Sequence, residues 1–389
     1  MKLCSKCILP ETFPSIKFDA DGVCNYCRSY KGHDHAAAVK AQYREKFESL
    51  LNGLGLFPQP SPLNPESSSS APDPSSRPCT LTPVPSYHVL MAYSGGKDST
   101  YTMDIFKNRY RLNVLALTFD HGFMSPFALT NIKAACERLG IDHLTFQPRL
   151  DVLKKVFTAS IEENLYSKKS LERASTICST CMGIVKSITL KLALEKNIPF
   201  IGYGWSPGQA PVQSSVMKIN ADFFRSAQKS FYEPLHKIAG DAVNPYFLDE
   251  SLLDKLANGN YYNVHPLAFL DYSEEAIFNR IRELGWQPPQ DTDSNSSNCL
   301  LNSFANQTHI KRHGFHPYAF EIAGLVRGGV MSREEGLEKI EAPQNEEVIR
   351  RVKQKLGIRG QGTGKREGTA FRGEGSGETQ EGATGFRAQ

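Results

Sequence analysis

The sequence lacks the features that mark membrane-spanning and secreted proteins. No apolar run approaches the ~18–20 residues that a bilayer span requires. The first residues, MKLCSKC, contain neither an apolar segment nor the small-residue cleavage site of a secretory leader. Excess charge of one sign is also missing, because 45 Lys and Arg face 41 Asp and Glu. We therefore expect a cytoplasmic protein without a membrane span, whose net charge of +4 permits a nucleic-acid partner without indicating one.

The composition is that of an ordinary globular chain, with 40% hydrophobic and 22% charged residues. A length of 389 residues exceeds the usual single domain, so two or three units are expected. Composition shifts predict a cysteine-rich segment (1–35), a helix (36–56), a Pro/Ser-rich linker (57–86), a central domain (87–300), a C-terminal helical region (301–356) and a disordered Gly-rich tail (357–389).

The central domain alternates short apolar strands with helices. Predicted strands at 87–93, 113–119 and 199–203 are separated by predicted helices such as 98–109 and 126–139. Strands joined through helices pair in parallel with right-handed crossovers. The fold class predicted here is α/β, with a doubly wound parallel sheet.

Nine cysteines are present, and six of them form three Cys-x-x-Cys pairs. In a chain without a secretory leader, such pairs indicate metal or redox chemistry and not a disulfide framework. Cys4, Cys7, Cys24 and Cys27 have the spacing of a closed four-thiolate Zn²⁺ site, so 1–35 is predicted to be a small zinc ribbon. Redox-active pairs are the competing interpretation.

The most informative motif is the run SGGKDST, directly after the first predicted strand. Two glycines let backbone amides approach an anion, and the following helix directs its positive dipole end at the same point. Lys97 adds a charge, and Asp98 is placed to hold Mg²⁺. The spacing is not that of a Walker A loop. A plain glycine turn, with Ser94 as the helix N-cap, is the structural alternative.

This run resembles the phosphate loop of the PP-loop ATP pyrophosphatases, which adenylate a carbonyl-type oxygen and release pyrophosphate. The resemblance implies that Lys97 and Asp98 are catalytic. It implies an ATP site that also includes Asp120 and Gly202, at the ends of later strands. Asp120 is equally suited to a simple turn. The residues assigned to ATP are Ser94, Gly95, Gly96, Lys97, Asp98, Ser99, Thr100, Asp120 and Gly202.

Three internal cysteines suggest a similarity to one particular group of PP-loop enzymes. Cys178 and Cys181 form a Cys-x-x-Cys predicted to precede a helix, and Cys299 follows much later. This order resembles the PP-loop tRNA thiolation enzymes, which hold a [4Fe–4S] cluster on three cysteines. The resemblance implies that these three residues hold such a cluster, that Cys178 and Cys181 are catalytic, and that an external sulfur donor takes part. A second zinc knuckle, a redox pair or inert buried thiols remain alternatives.

The N-terminal run CSKCILPETFPSIKFDADGVCNYCRSY suggests a similarity to a different group of PP-loop enzymes. It resembles the start of the N-acetyl sugar amidotransferases, PP-loop enzymes that act on a nucleotide-linked or lipid-linked sugar. Their nucleophile is ammonia from a partner glutaminase. The sequence thus predicts ATP-dependent thiolation, with tRNA as acceptor, as the function and amidotransfer to an N-acetyl sugar as the alternative. The sequence is also compatible with a homodimer.

Overall fold

The alternating strands and helices of the sequence form a single mixed sheet. The computed structural model describes residues 1–56, 86–163, 165–293 and 295–358. The strands in chain order are β1 (Val89–Ala92), β2 (Val114–Phe119), β3 (Asp142–Phe146), β4 (Phe200–Tyr203), β5 (Val216–Lys218) and β6 (Tyr262–Val264).

The sheet has the order β3-β2-β1-β4-β6-β5. Neighbouring strands from β3 through β2, β1 and β4 to β6 are all parallel, and β5 pairs with β6 as an antiparallel edge strand. The first strand runs inside the sheet, pairing with β2 on one side and β4 on the other. The chain order therefore reverses at β1. In open α/β sheets, ligands bind beyond the carboxyl ends of the strands at this reversal.

Helices account for most of the remaining described residues. In chain order they are α1 (Asn25–Arg28), α2 (His33–Gly53), α3 (Lys97–Asp104, continued by a π-helical turn, Ile105–Arg109), α4 (Pro126–Leu139), α5 (Leu150–Glu162), α6 (Thr176–Glu195), α7 (Ala221–Ala239), α8 (Glu250–Asn258), α9 (Pro266–Phe269), α10 (Glu274–Glu283), α11 (Leu301–His313), α12 (Ala319–Arg327), α13 (Arg333–Glu341) and α14 (Glu346–Leu356).

Both faces of the sheet are covered, which explains why β1 is apolar throughout. Leu90 and Leu115 belong to a core shared with α5, α6, α8, α11 and α14. Val89 and Met91 point the other way, into a core shared with α3 and α4, which Phe47 of α2 completes. The predicted doubly wound arrangement, with helices on both faces of a mostly parallel sheet, is thus present.

The described residues belong to one compact unit. The cysteine-rich N-terminus packs on the C-terminal helices, where Ile8 and Phe13 share a core with Ala319 and Ile322. The predicted linker and tail fall on residues outside the described part of the chain, apart from Ser86, Gly357 and Ile358.

Helix α6 departs from the sequence predictions in two ways. It begins at Thr176, capped by the Ser175 hydroxyl, so Cys178 and Cys181 lie within the helix and not before it. By length and composition it would also suffice to cross a bilayer, contrary to the expectation that no segment qualifies. Inside the protein, 61% of its most apolar 18-residue stretch is buried, as in a helix at the centre of a folded core.

Candidate functional site

The SGGKDST run forms the turn between β1 and α3, as the motif predicts. Gly95 has φ +74°, and a Cβ at this position would lie 2.6 Å from the Ala128 carbonyl oxygen. Glycine is therefore required both by backbone conformation and by close packing. The Trp286 indole N–H donates to the Gly95 carbonyl at 2.9 Å and holds the turn from behind.

Hydroxyl groups fix the loop to the first turn of α3. Ser99 Oγ and Thr100 Oγ1 both donate to the Gly96 carbonyl, at 3.0 and 2.9 Å. Ser94 Oγ lies 3.1 Å from Ser99 Oγ. A second close approach comes from β4, because a Cβ on Gly204 would lie 2.3 Å from Ser99 Cα. The loop is thus fixed to α3 and to the segment after β4 by contacts within the protein.

Lys97 and Asp98 take part in a small charged network at the start of α3. Lys97 Nζ donates to Glu274 Oε1 and to the Tyr272 hydroxyl, both at 2.7 Å, and lies 3.4 Å from Asp98 Oδ1. The Tyr272 hydroxyl in turn donates to Asp98 at 3.0 Å. Burial raises the pKa of Asp98 despite the opposing effect of Lys97. Burial also disfavours the charged Lys97, but Asp98 and Glu274 outweigh it and raise the pKa of Lys97.

If Lys97 binds phosphate as the motif predicts, Glu274 would compete with that phosphate, because its carboxylate pairs with the Lys97 ammonium group. We predict that Glu274→Gln tightens binding of a non-cleavable ATP analogue by about two- to fivefold. Such a change corresponds to about 0.4–1 kcal/mol, the upper part of the range for an ion pair whose carboxylate is 43% exposed. Isothermal titration calorimetry measures the change.

The matched control is Glu275→Gln, because Glu275 is the next residue in the same helix turn and is exposed. It changes the net charge equally and should leave the affinity unaltered. Weaker binding by Glu274→Gln would contradict the competition and would make Glu274 part of the ligand site.

One cavity of about 990 Å³ brings the loop together with distant parts of the chain. From the loop, the lining includes Ser94, Gly96, Lys97, Asp98 and Ser99. Gly95 and Thr100 belong to the loop but are not in this lining. The other walls include α6, the segment after β4, α10, the segment 286–298 and α12.

The α12 wall contributes a carboxyl group that sequence reasoning missed. Glu321 accepts a hydrogen bond from Ser206 Oγ at 2.6 Å and faces the cavity. Burial raises the pKa of Glu321 to about 7, although hydrogen bonds from Ser206 and Gln209 oppose the rise. The group is therefore able to exchange a proton near neutral pH.

The internal cysteines come from two separate places, the start of α6 and the segment before α11, but approach one another. Cys178 lines the cavity, in the first turn of α6, where its N–H donates to Ser175 Oγ. Burial raises the pKa of Cys299 well above the usual value, and the neighbouring Cys178 and Cys181 raise it further. Burial likewise raises the pKa of Cys178, and it raises that of Cys181 to about 12. Without a metal, these thiols are protonated at neutral pH.

His121, to which the sequence analysis assigned no role, joins this group. The Phe123 N–H donates to His121 Nδ1 at 3.1 Å, so the proton of the neutral ring lies on Nε2, which is 3.6 Å from Cys299 Sγ. Burial lowers the pKa of His121 to about 4 and keeps the ring neutral. Three neighbouring cysteine thiols are a donor set of the kind that holds an iron–sulfur cluster.

Two residues assigned to ATP from the sequence have structural contacts instead of a place on the cavity wall. Asp120 Oδ1 accepts from the Gly122 N–H at 2.8 Å, the contact of a simple turn. Gly202 lies inside β4, where a Cβ would come within 2.5 Å of the Phe106 ring. Neither is in the described lining of the cavity. Their contact with ATP stays a prediction.

The N-terminal cysteines form a second, separate site. The sulfurs of Cys4, Cys7, Cys24 and Cys27 all lie within 4.8 Å of one another. The Cys7–Cys24 and Cys4–Cys27 sulfur distances are 3.8 and 3.9 Å. A tetrahedral zinc site with bonds of about 2.3 Å has sulfur–sulfur edges of about 3.8 Å. The four residues therefore fit the predicted zinc ion.

Backbone amides favour metal binding at this site. The N–H groups of Cys7 and Cys24 donate to Cys4 Sγ at 3.5 and 3.2 Å. Burial disfavours the Cys4 thiolate, but such hydrogen bonds outweigh it and lower the pKa of Cys4 to about 7. Burial raises the pKa of Cys7 to about 11 and that of Cys27 further. A metal ion would have to displace these protons.

Comparisons with known proteins give remote likenesses. No family model matches the chain. An uncharacterized protein of Methanocaldococcus jannaschii is 22% identical over 258 residues, which span 66% of this chain and 74% of that protein. The chain is also similar to the U34-tRNA thiolase NcsA from Methanococcus maripaludis, solved with its [4Fe–4S] cluster. That likeness has 15% identity, covers 95% of this chain and 94% of that one, and gives a TM-score of 0.31.

A second solved structure, a predicted subunit of a tRNA methyltransferase from Methanocaldococcus jannaschii, gives 16% identity and a TM-score of 0.28. It covers 60% of this chain and 90% of that one. At these TM-scores, neither structural likeness carries an argument about function.

Proposed function

We propose that this protein is an ATP pyrophosphatase that adenylates a carbonyl-type oxygen, which a sulfur nucleophile then replaces, with a tRNA base as acceptor. The observation that carries the proposal is a shared cavity. Cys178 and the SGGKDST loop line the same space of about 990 Å³. The activating and the sulfur-bearing halves of a thiolation reaction would therefore face one substrate.

The loop residues account for the first step. The acceptor oxygen attacks the α-phosphorus of ATP, the bond to the β-phosphate breaks, and pyrophosphate leaves with the electron pair. Lys97, released from Glu274, and the α3 N-terminus stabilise the charge on the departing phosphates. Asp98 would hold the Mg²⁺ that accompanies ATP.

The internal cysteines account for the second step. A sulfide attacks the activated carbon, and AMP leaves with the former acceptor oxygen. Cys178, Cys181 and Cys299 would hold the [4Fe–4S] cluster, which would supply an iron site that lacks a protein ligand and is open to external sulfide. His121 fixes the orientation of Cys299 through its Nε2.

Positive side chains in the same cavity support an acceptor that carries phosphate. Arg173, Lys186 and Lys339 are in its lining, on the side of α6 and of the C-terminal helices. Phosphate groups of a tRNA would be attracted by these cations. The eight cysteines in the described residues are free thiols, in keeping with the reducing cytoplasm that we propose as the compartment.

The raised pKa values of the three partly buried internal thiols favour a second candidate function. A raised pKa makes each of them a poor nucleophile by itself. If they hold no cluster, the adenylated oxygen would be displaced by ammonia from a partner glutaminase, as in amidotransfer to an N-acetyl sugar.

Metal content separates the two candidates. For protein purified without oxygen, we expect about four iron and four acid-labile sulfide per chain. One zinc per chain should accompany them in the N-terminal site. The Cys299→Ala variant should lose the iron and keep the zinc. A zinc-only, iron-free protein that stays active would rule out the sulfur mechanism and favour nitrogen transfer.

A further inference from the structure

The N-terminal four-cysteine site and the cavity share one helix. On one side, Phe320 of α12 stacks on Phe13 with ring centroids 5.6 Å apart and planes 16° apart. On the other side, Glu321 and Leu325 face the cavity. Helix α12 is therefore a wall between the two sites.

The last residue of α12 contacts a cysteine sulfur directly. Arg327 Nη1 donates to Cys7 Sγ at 3.7 Å, and its guanidinium lies 5.8 Å from the Phe320 ring centroid. Four thiolates around a divalent ion carry a net charge of −2, which a guanidinium at this distance offsets in part. The ion would thus hold Arg327, and with it the end of α12.

The side of α12 that faces the cavity packs closely against the segment after β4. The Glu321 side chain accepts from Ser206 Oγ, and a Cβ on Gly208 would lie 2.7 Å from the Glu321 carbonyl oxygen. Arg173 stacks on Phe320 at 4.4 Å and donates to the Gln209 carbonyl at 3.0 Å. A displacement of α12 would therefore move the segment after β4, which forms another cavity wall.

We propose that the metal in the four-cysteine site positions the cavity wall through Arg327, so that metal occupancy and nucleotide binding are coupled. Arg327 acts here as a positioning residue, since it is not in the described lining of the cavity. The nucleotide part of this inference depends on the function proposed above, whereas the effect of the metal on α12 does not.

Linkage supplies the first test, in the full chain. The affinity for Zn²⁺ is measured by competition with a chromophoric chelator, with and without a non-cleavable ATP analogue. The affinity for the analogue is measured with and without Zn²⁺. Both ratios must be equal, and we expect them to be about tenfold.

The Arg327→Met variant keeps an apolar stem beside Phe320 and removes the charge. We expect its zinc affinity to fall about 10- to 100-fold, as for loss of other residues behind metal ligands. Its coupling ratio should approach one. Arg351→Met is the matched control, because Arg351 pairs with Glu347 on the surface of α14, away from both sites. A ratio of one in the unmodified protein, or an unchanged ratio in Arg327→Met, would overturn the proposal.

Hydrogen exchange keeps this inference separate from the proposed function. Zinc should slow amide exchange in Ala319–Arg327 severalfold, whether or not the analogue binds, and leave Pro126–Leu139 of α4 unchanged. If zinc protects α12 but the analogue does not bind, the proposed function fails and the coupling of metal to helix stands. Equal exchange with and without zinc would refute that coupling.

Discussion

Lys97→Ala should lose about 100- to 1,000-fold in pyrophosphate release, the usual effect of removing one group that stabilises transition-state charge. Lys97 is the cation of the loop, and only 15% of its side chain is exposed. The charge that develops on departing pyrophosphate would have no other lysine in the loop to stabilise it. A continuous pyrophosphate assay, with Mg²⁺ and bulk tRNA, measures the rate.

The fold should survive this substitution. Lys97 is at the start of α3 and is absent from the apolar clusters, so its removal leaves the sheet unaltered. Lys155→Ala is the control, since Lys155 is an exposed lysine on α5. It should retain full activity. Unchanged pyrophosphate release by Lys97→Ala, with normal thermal unfolding, would show that the loop is not the ATP site.

Cys178→Ala should abolish sulfur transfer, with a loss of at least about 100-fold, while ATP-analogue affinity stays within about twofold. The two effects should separate because Cys178 lies on α6, whereas the proposed phosphate contacts lie on the loop, on another wall of the cavity. Incorporation of ³⁵S from labelled sulfide into bulk tRNA measures the first quantity, and calorimetry measures the second.

Cys136→Ala makes the same chemical change at a buried cysteine outside this cavity, on α4. It should keep sulfur transfer. If Cys178→Ala also keeps it, the cysteine has no chemical role. If Cys178→Ala instead keeps nitrogen transfer to an N-acetyl sugar, the amidotransfer alternative is correct.

The centre of the sheet was predictable because β1, β2 and β4 are apolar on both faces. A run such as VLMA has no other stable location than between two layers of helices. Strand β5 was missed because three residues carry no periodic signal. Helix α7 was missed because Pro234 interrupts its pattern, and α6 was predicted too short because its first turns contain Ser, Thr and Cys.

The site was predictable where it is local in sequence. Gly95, Gly96 and Lys97 form one continuous motif, and four cysteines at two fixed spacings form another. Glu274 and Glu321 were missed because they reach the cavity from far along the chain. Glu274 is 177 residues from Lys97, and Glu321 is 115 residues from Ser206. Only the sheet topology brings such residues together.

The products of ATP cleavage test the central claim most directly. The purified protein is incubated with ATP, Mg²⁺, sulfide and bulk tRNA, and the nucleotides are identified by ³¹P NMR. A loop that presents the α-phosphorus to the acceptor predicts AMP and pyrophosphate in equal amounts. Formation of ADP and inorganic phosphate would contradict it, because the bond broken would then be the one between the β- and γ-phosphates.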